Sequence, residues 1–177
     1  VSGCSINTAG DVAGGLDVEL AGSGQVRTGA VRSADISIAG SGTVATGAVA
    51  EGAEVEIAGS GKVNMASVAG DLSFDGAGSG GLNVEGGAID TAEIDIAGSS
   101  DVSIAAPIQT LNVDIVGSGD VETGVVGDLE ADIAGSGDVR VQAVTGTSQR
   151  EVWGSGEVII GAGPPQPPAP PAAPVAP

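Results

Sequence analysis

Ala34-Asp35-Ile36-Ser37-Ile38-Ala39-Gly40-Ser41-Gly42-Thr43-Val44-Ala45-Thr46-Gly47-Ala48-Val49 contains the unit from which this 177-residue chain is built. Ala34, Ile36 and Ile38 alternate with polar neighbours, the period of a strand with one face buried. Ala39-Gly40-Ser41-Gly42 interrupts that period, and glycine reaches the positive φ angles that a sharp corner needs. Val44 and Thr46 resume the alternation as a second short strand. Val49 marks a third inward position.

The corner recurs along the whole chain. Its Gly-Ser pair stands at Gly22-Ser23, Gly40-Ser41, Gly59-Ser60, Gly78-Ser79, Gly98-Ser99, Gly117-Ser118, Gly135-Ser136 and Gly154-Ser155, at spacings of 18 to 20 residues. A unit of that length cannot bury a core alone, so each copy must stack on its neighbours. The columns across copies bear this out. Two residues after the second corner glycine the chain has Val26, Val44, Val63, Leu82, Val102, Val121, Val139 and Val158. Before the corner alanine it has Leu20, Ile38, Ile57, Gly76, Ile96, Ile115, Ile133 and Val152. Gly76 breaks the second column, with Phe74 two residues away to supply volume, and Ser100 replaces the second corner glycine once. Like residues lie over like when parallel strands stack about 4.8 Å apart. The expected fold is therefore all-β: a right-handed parallel β-helix (β-solenoid) over residues 1–161, of about eight to nine coils and three-sided, since crossovers between parallel strands run right-handed.

Composition narrows the function. The chain has 32 glycines, no histidine, no tyrosine, and a formal net charge of -18. Its aromatics are Phe74 and Trp153, yet 41% of the residues are hydrophobic, which is too many for a disordered acidic chain. Five basic residues (Arg27, Arg32, Lys62, Arg140, Arg150) cannot neutralise a phosphate backbone, so nucleic acid is not an expected partner. No apolar run reaches membrane-spanning length.

Acidic residues concentrate on one outward face. One column reads Glu19, Ser37, Glu56, Asp75, Asp95, Asp114, Asp132, Glu151, and its neighbour reads Asp17, Asp35, Glu54, Ser73, Glu93, Asn112, Glu130, Gln149; together they hold 12 of the 23 carboxylates. Such a face keeps an Ala/Val/Gly-rich strand in water and off other sheets. Ca²⁺ between rungs is the alternative, because it takes carboxylate oxygens, but the Asp-rich spacing of dedicated calcium loops is absent. No other cofactor and no catalytic residue is expected. The repeated serines lack a histidine base, and the paired carboxylates are periodic rather than singular, so both read as structure and the protein as a non-enzyme.

The pattern Ile-Ala-Gly-Ser-Gly-Asp-Val, as in Ile133-Ala134-Gly135-Ser136-Gly137-Asp138-Val139, resembles the auto-transporter adhesin head GIN domain family over roughly Leu16 to Gly161. That resemblance implies a secreted or lipid-anchored bacterial protein of unknown function with right-handed β-helical coils. It brings no catalytic residues.

The ends carry the remaining expectations. Cys4 has no partner for an internal disulfide. Its context, Val1-Ser2-Gly3-Cys4, is that of a lipoprotein signal or the remnant of an earlier corner, and either way a secretory signal is expected ahead of residue 1. From residue 162 to 177 the chain is Pro-rich, an extended polyproline II tail whose last 14 residues span about 43 Å, close to the roughly 38 Å of eight stacked coils. No helix or charged cap follows the last coil, and open β-helix ends template further pairing. The expected function is thus an extracellular filament of head-to-tail subunits. Its interface would comprise Ile6, Leu16, Trp153, Val158 and Ile160, strapped by Pro164, Pro165, Pro167, Pro168, Pro170 and Pro171 of the tail. The alternative is a monomeric adhesin-like or lipid-anchored surface module engaging cations or glycans.

Overall fold

A computed structural model describes residues 6–8 and 10–161 of the chain. Cys4 and the Pro-rich tail, with the strap positions from Pro164 to Pro171, lie outside the described residues. The strands are β1 (Ile6–Thr8), β2 (Val12–Gly22), β3 (Gln25–Arg27), β4 (Val31–Gly40), β5 (Thr43–Val49), β6 (Gly52–Gly59), β7 (Lys62–Gly78) and β8 (Gly81–Val84). There follow β9 (Gly87–Gly98), β10 (Asp101–Ile104), β11 (Ile108–Gly117), β12 (Asp120–Gly135), β13 (Asp138–Val144), β14 (Ser148–Gly154) and β15 (Glu157–Ile160). All pairings are parallel and join the strands into one 15-stranded sheet wound as a solenoid of about eight turns. The fold class read from the sequence is the one observed.

Three ladders run along the axis. The first face stacks β2, β4, β6, the end of β7, β9, β11, the end of β12, and β14. The second stacks β1, β3, β5, the start of β7, β8, β10, the start of β12, β13 and β15. A third, shorter station pairs Val12 with Val31, Val31 with Val49, and Val49 with Val68, then Ile89 with Ile108, Ile108 with Val126, and Val126 with Val144. Between the two runs the register shifts, at Gly70 to Leu72. Each ladder turns one set of residues inward, and these form a single core containing Ile38, Ile57, Ile96, Ile115 and Ile133 from the first face. Val44, Val63, Leu82, Val102, Val121 and Val139 join them from the second.

The corner glycines hold the turns together. Gly40, Gly59, Gly78, Gly98, Gly117 and Gly135 all have φ between +125° and +147°, a region that L side chains rarely enter. A Cβ at any of them would also fall far inside 3.0 Å of the carbonyl oxygen of the glycine one turn below. The adjoining serines from Ser41 to Ser155 donate their backbone N–H to that same carbonyl, at 2.7–2.9 Å. Their hydroxyls are exposed, so the corner is closed by main chain rather than by a hydroxyl ladder.

The two breaks in the repeat turn out to be one feature. Elsewhere the second corner glycine leaves room for the isoleucine one turn below: a Cβ on Gly80 would lie 2.6 Å from Ile57 Cγ2, and one on Gly119 would lie 2.8 Å from Ile96 Cγ2. Where that isoleucine is Gly76, the residue one turn above is Ser100, and an added Gly76 Cβ would meet Phe74 Cε1 at 2.8 Å and Ser100 Oγ at 3.0 Å. The Phe74 ring and the Ser100 hydroxymethyl fill the missing volume between them. Both residues are fully buried, and the Ser100 hydroxyl has no hydrogen-bond partner. A lost isoleucine is thus offset by an aromatic ring and one polar orphan, the latter costing about 1–3 kcal/mol.

On its first face the last described turn is more polar than the repeat columns suggest. There Ser148 pairs with Leu129, Arg150 with Ala131, and Val152 with Ile133. Two of three inward positions are therefore polar, and all residues of β14 are exposed. Polar residues at inward positions of a terminal coil are a feature of other stacked-repeat proteins.

Candidate functional site

Three surfaces of the solenoid carry chemistry: the acidic first face, the polar second face, and the two ends. On the first face the register places Glu56, Asp75, Asp95, Asp114 and Asp132 directly over one another. Partial burial, and then the charges of Asp75, Asp114 and Glu93, push the Asp95 carboxyl above its ordinary value. A shallow groove of about 510 Å³ runs along this ladder beside Gly76. Among the described residues no group of three or more His, Cys, Asp or Glu side chains is arranged to hold a metal ion.

Other carboxylates act as staples between turns, a role the sequence reading missed. Asp11 accepts from the backbone N–H of Ala30 at 2.8 Å, Asp71 from Thr91 at 3.2 Å, Asp120 from Asp138 at 3.0 Å, and Asp138 from Glu157 at 3.0 Å. Asp128 takes both the N–H and the hydroxyl of Thr147, each at 2.7 Å. These two bonds hold its carboxyl below the ordinary carboxylate range. Each bond spans 18 to 20 residues, one full turn. Spacing alone could have suggested them, because Asp128 and Thr147 are one period apart.

Asp95 and Asp128 therefore respond to acid with opposite signs. A raised folded pKa means that the folded state holds the proton more tightly. Asp95 thus opposes folding at neutrality and relaxes as pH falls through its raised value, whereas Asp128 stabilises above the unfolded carboxylate pKa and loses that contribution below it. Asp95→Asn is expected to raise the melting temperature at pH 7 by up to a few degrees, and Asp128→Ala to lower it. Both differences should shrink near pH 3. Melting curves of the two variants at both pH values check the signs.

The second face is chemically mixed. One outward column runs Gln25, Thr43, Lys62, Gly81, Asp101, Asp120, Asp138, Glu157. The other runs Arg27, Ala45, Asn64, Asn83, Ser103, Glu122, Arg140, Ile159. From the first turn to the fourth it carries Arg27 and Lys62 and no carboxylate, the reverse of the first face. A groove of about 510 Å³ follows it past Lys62, Asn64, Asn83 and Arg140, and a second of about 470 Å³ continues it to Gly161. Arg140 is held by Asp138 at 2.8 Å.

At the ends, Ile6 and Leu16 lie in the first strands, while Trp153, Val158 and Ile160 lie in the last ones. Trp153 is 65% exposed, and Leu16, Val158 and Ile160 are half-buried. Among the described residues the outer edges of β1, β2, β14 and β15 have no strand partner.

Fold and surfaces together define a parallel β-solenoid whose polar chemistry is spread along its faces rather than gathered in one pocket. The family described as "Putative auto-transporter adhesin, head GIN domain" matches residues 46–143, more than half of the chain, and the chain belongs to that family. No curated protein and no solved structure matches it.

Proposed function

We propose that the chain is a non-enzymatic, extracellular or cell-surface binding module of the adhesin type, which engages its partner along an extended face of the rod. The observation that carries this reading is the second face. It carries two adjoining open grooves, the first polar with Lys62 at its near end and Asp101, Asp120 and Glu122 further along, the second more apolar, past Ile104, Val141 and Ile159. Family membership supports both the adhesin class and the surface location. The spread of chemistry over many turns fits a surface that grips a long partner more than one that turns over a small substrate.

The free edges of β15 and β2 favour a second reading, in which subunits stack head to tail into a filament strapped by the Pro-rich tail. Val158 and Ile160 offer such a joint apolar contacts on the second face. On the first face, however, stacking would press Arg150 and Ser148 onto the next copy's Val18 and Leu16, burying an unpaired charge. The binding module is therefore the better-supported reading.

Sedimentation velocity of the full chain over a wide concentration range, with negative-stain imaging of the same samples, separates the two. A monomeric rod about 40 Å long, its length set by about eight rungs, is expected. Concentration-dependent fibres that Ile160→Lys abolishes would overturn the module reading in favour of the filament.

A further inference from the structure

We propose that the recess over Gly81 on the second face is a binding site for an uncharged glycan chain, a proposal that rests on the binding-module reading above. The recess follows from register. Lys62, Gly81 and Asp101 stack on consecutive turns, and so do Asn64, Asn83 and Ser103 beside them. At Gly81 the outward column has no side chain. An added Cβ would meet the Asp101 carbonyl oxygen closely, at 3.2 Å, and no other atom within 4 Å, so the recess is bounded by main chain on the Asp101 side and free of side chains elsewhere. Lys62 and Asp101 stand on either side, two rungs or about 9.6 Å apart, and the Asn64–Asn83–Ser103 row forms one wall.

The wall is supplied with unused hydrogen-bonding groups. Among the described residues, none of Lys62, Asn64, Asn83, Asp101 and Ser103 has a side-chain hydrogen bond or ion pair. Carboxamides and hydroxyls both donate and accept, ammonium only donates, and carboxylate only accepts. That mixture matches vicinal sugar hydroxyls, which also do both. Rows repeated every rung suit a polymer whose hydroxyls recur along its length.

Charge selects among polymers. A polyanion meets the field of a chain with net charge -18. A polycation is drawn to the carboxylate columns of the first face instead. At the recess itself Lys62 faces Asp101, while Asp120 and Glu122 line the same groove further along and Arg140 is paired with Asp138. A polyanion is repelled there, and an uncharged polyhydroxylated chain is the fitting occupant. With no aromatic ring beside it, recognition is by hydrogen bonds edge-on to the sugars.

The test is to probe the full chain on a printed array of uncharged linear gluco-, manno-, galacto- and xylo-oligosaccharides, with uronate and glucosamine oligomers as charged comparators. The strongest uncharged binder is then titrated calorimetrically against variants. Gly81→Val fills the recess and should lower affinity at least tenfold; its Cβ meets the Asp101 carbonyl oxygen at 3.2 Å, so a modest drop in melting temperature is expected alongside. Asn83→Ala should also lower affinity, and it reads the same recess if Gly81→Val folds poorly. Binding that both variants leave intact overturns the site while the module reading stands. So does a preference for charged oligomers that is abolished by Asp75→Asn on the first face. If no oligosaccharide binds, the glycan proposal falls. The module reading falls with it only if sedimentation also shows fibres.

Discussion

Ile115→Asp is expected to collapse the central turns of the solenoid. Ile115 is 1% exposed and stacks between Ile96 and Ile133 in the first-face ladder. A carboxylate there has no donor within the apolar column, and it replaces a side chain whose burial contributes roughly 1.5–3 kcal/mol. The combined loss is at least about 4 kcal/mol, enough to lower the melting temperature by on the order of 10 °C or to leave the chain insoluble. Thermal unfolding followed by circular dichroism measures it, with Val116→Asp as the control. Val116 is adjacent in sequence but 64% exposed, and its substitution should be nearly silent.

Gly117→Ala is expected to cost nearly as much while adding only a methyl group. The residue has φ +138°, and its new Cβ would press on the Gly98 carbonyl oxygen. That oxygen already accepts from the Ser118 N–H at 2.7 Å. The obstruction is backbone, so no side chain can swing away, and the corner must open at a cost of about 3 kcal/mol or more. Gly14→Ala is the matching control, because nothing lies within 4 Å of its Cβ position. Equal melting temperatures for the two variants would contradict the corner geometry.

Much of this was legible before any coordinates. The inward columns and the corner could be read because every turn repeats them, and a parallel stack converts sequence period directly into spatial neighbourhood. What escaped notice depends on relations between turns rather than on the period itself. Gly76 and Ser100 were visible as separate exceptions, but only the offset of one turn between corner and strand shows that one fills the space of the other. Ser148 and Arg150 were hidden because Val152 keeps its column aliphatic while the two inward positions before it do not. The recess at Gly81 is defined by a side chain that is missing, and in a chain with 32 glycines one more carries little signal.

The break in regularity around the fourth turn has a mechanical consequence. Force applied along the axis of a stacked rod passes through every joint between turns in series, so the weakest joint sets the breaking load. The joint between the fourth and fifth turns combines the register shift at Gly70 to Leu72, the absent isoleucine at Gly76 and the unpartnered hydroxyl of Ser100. Against these stands the long run of β7 beside β9 from Val68 to Gly78, so under tension this joint sets broad backbone pairing against locally poorer core packing. The rod's response to pulling thus depends on exceptions to its repeat as well as on the repeat itself.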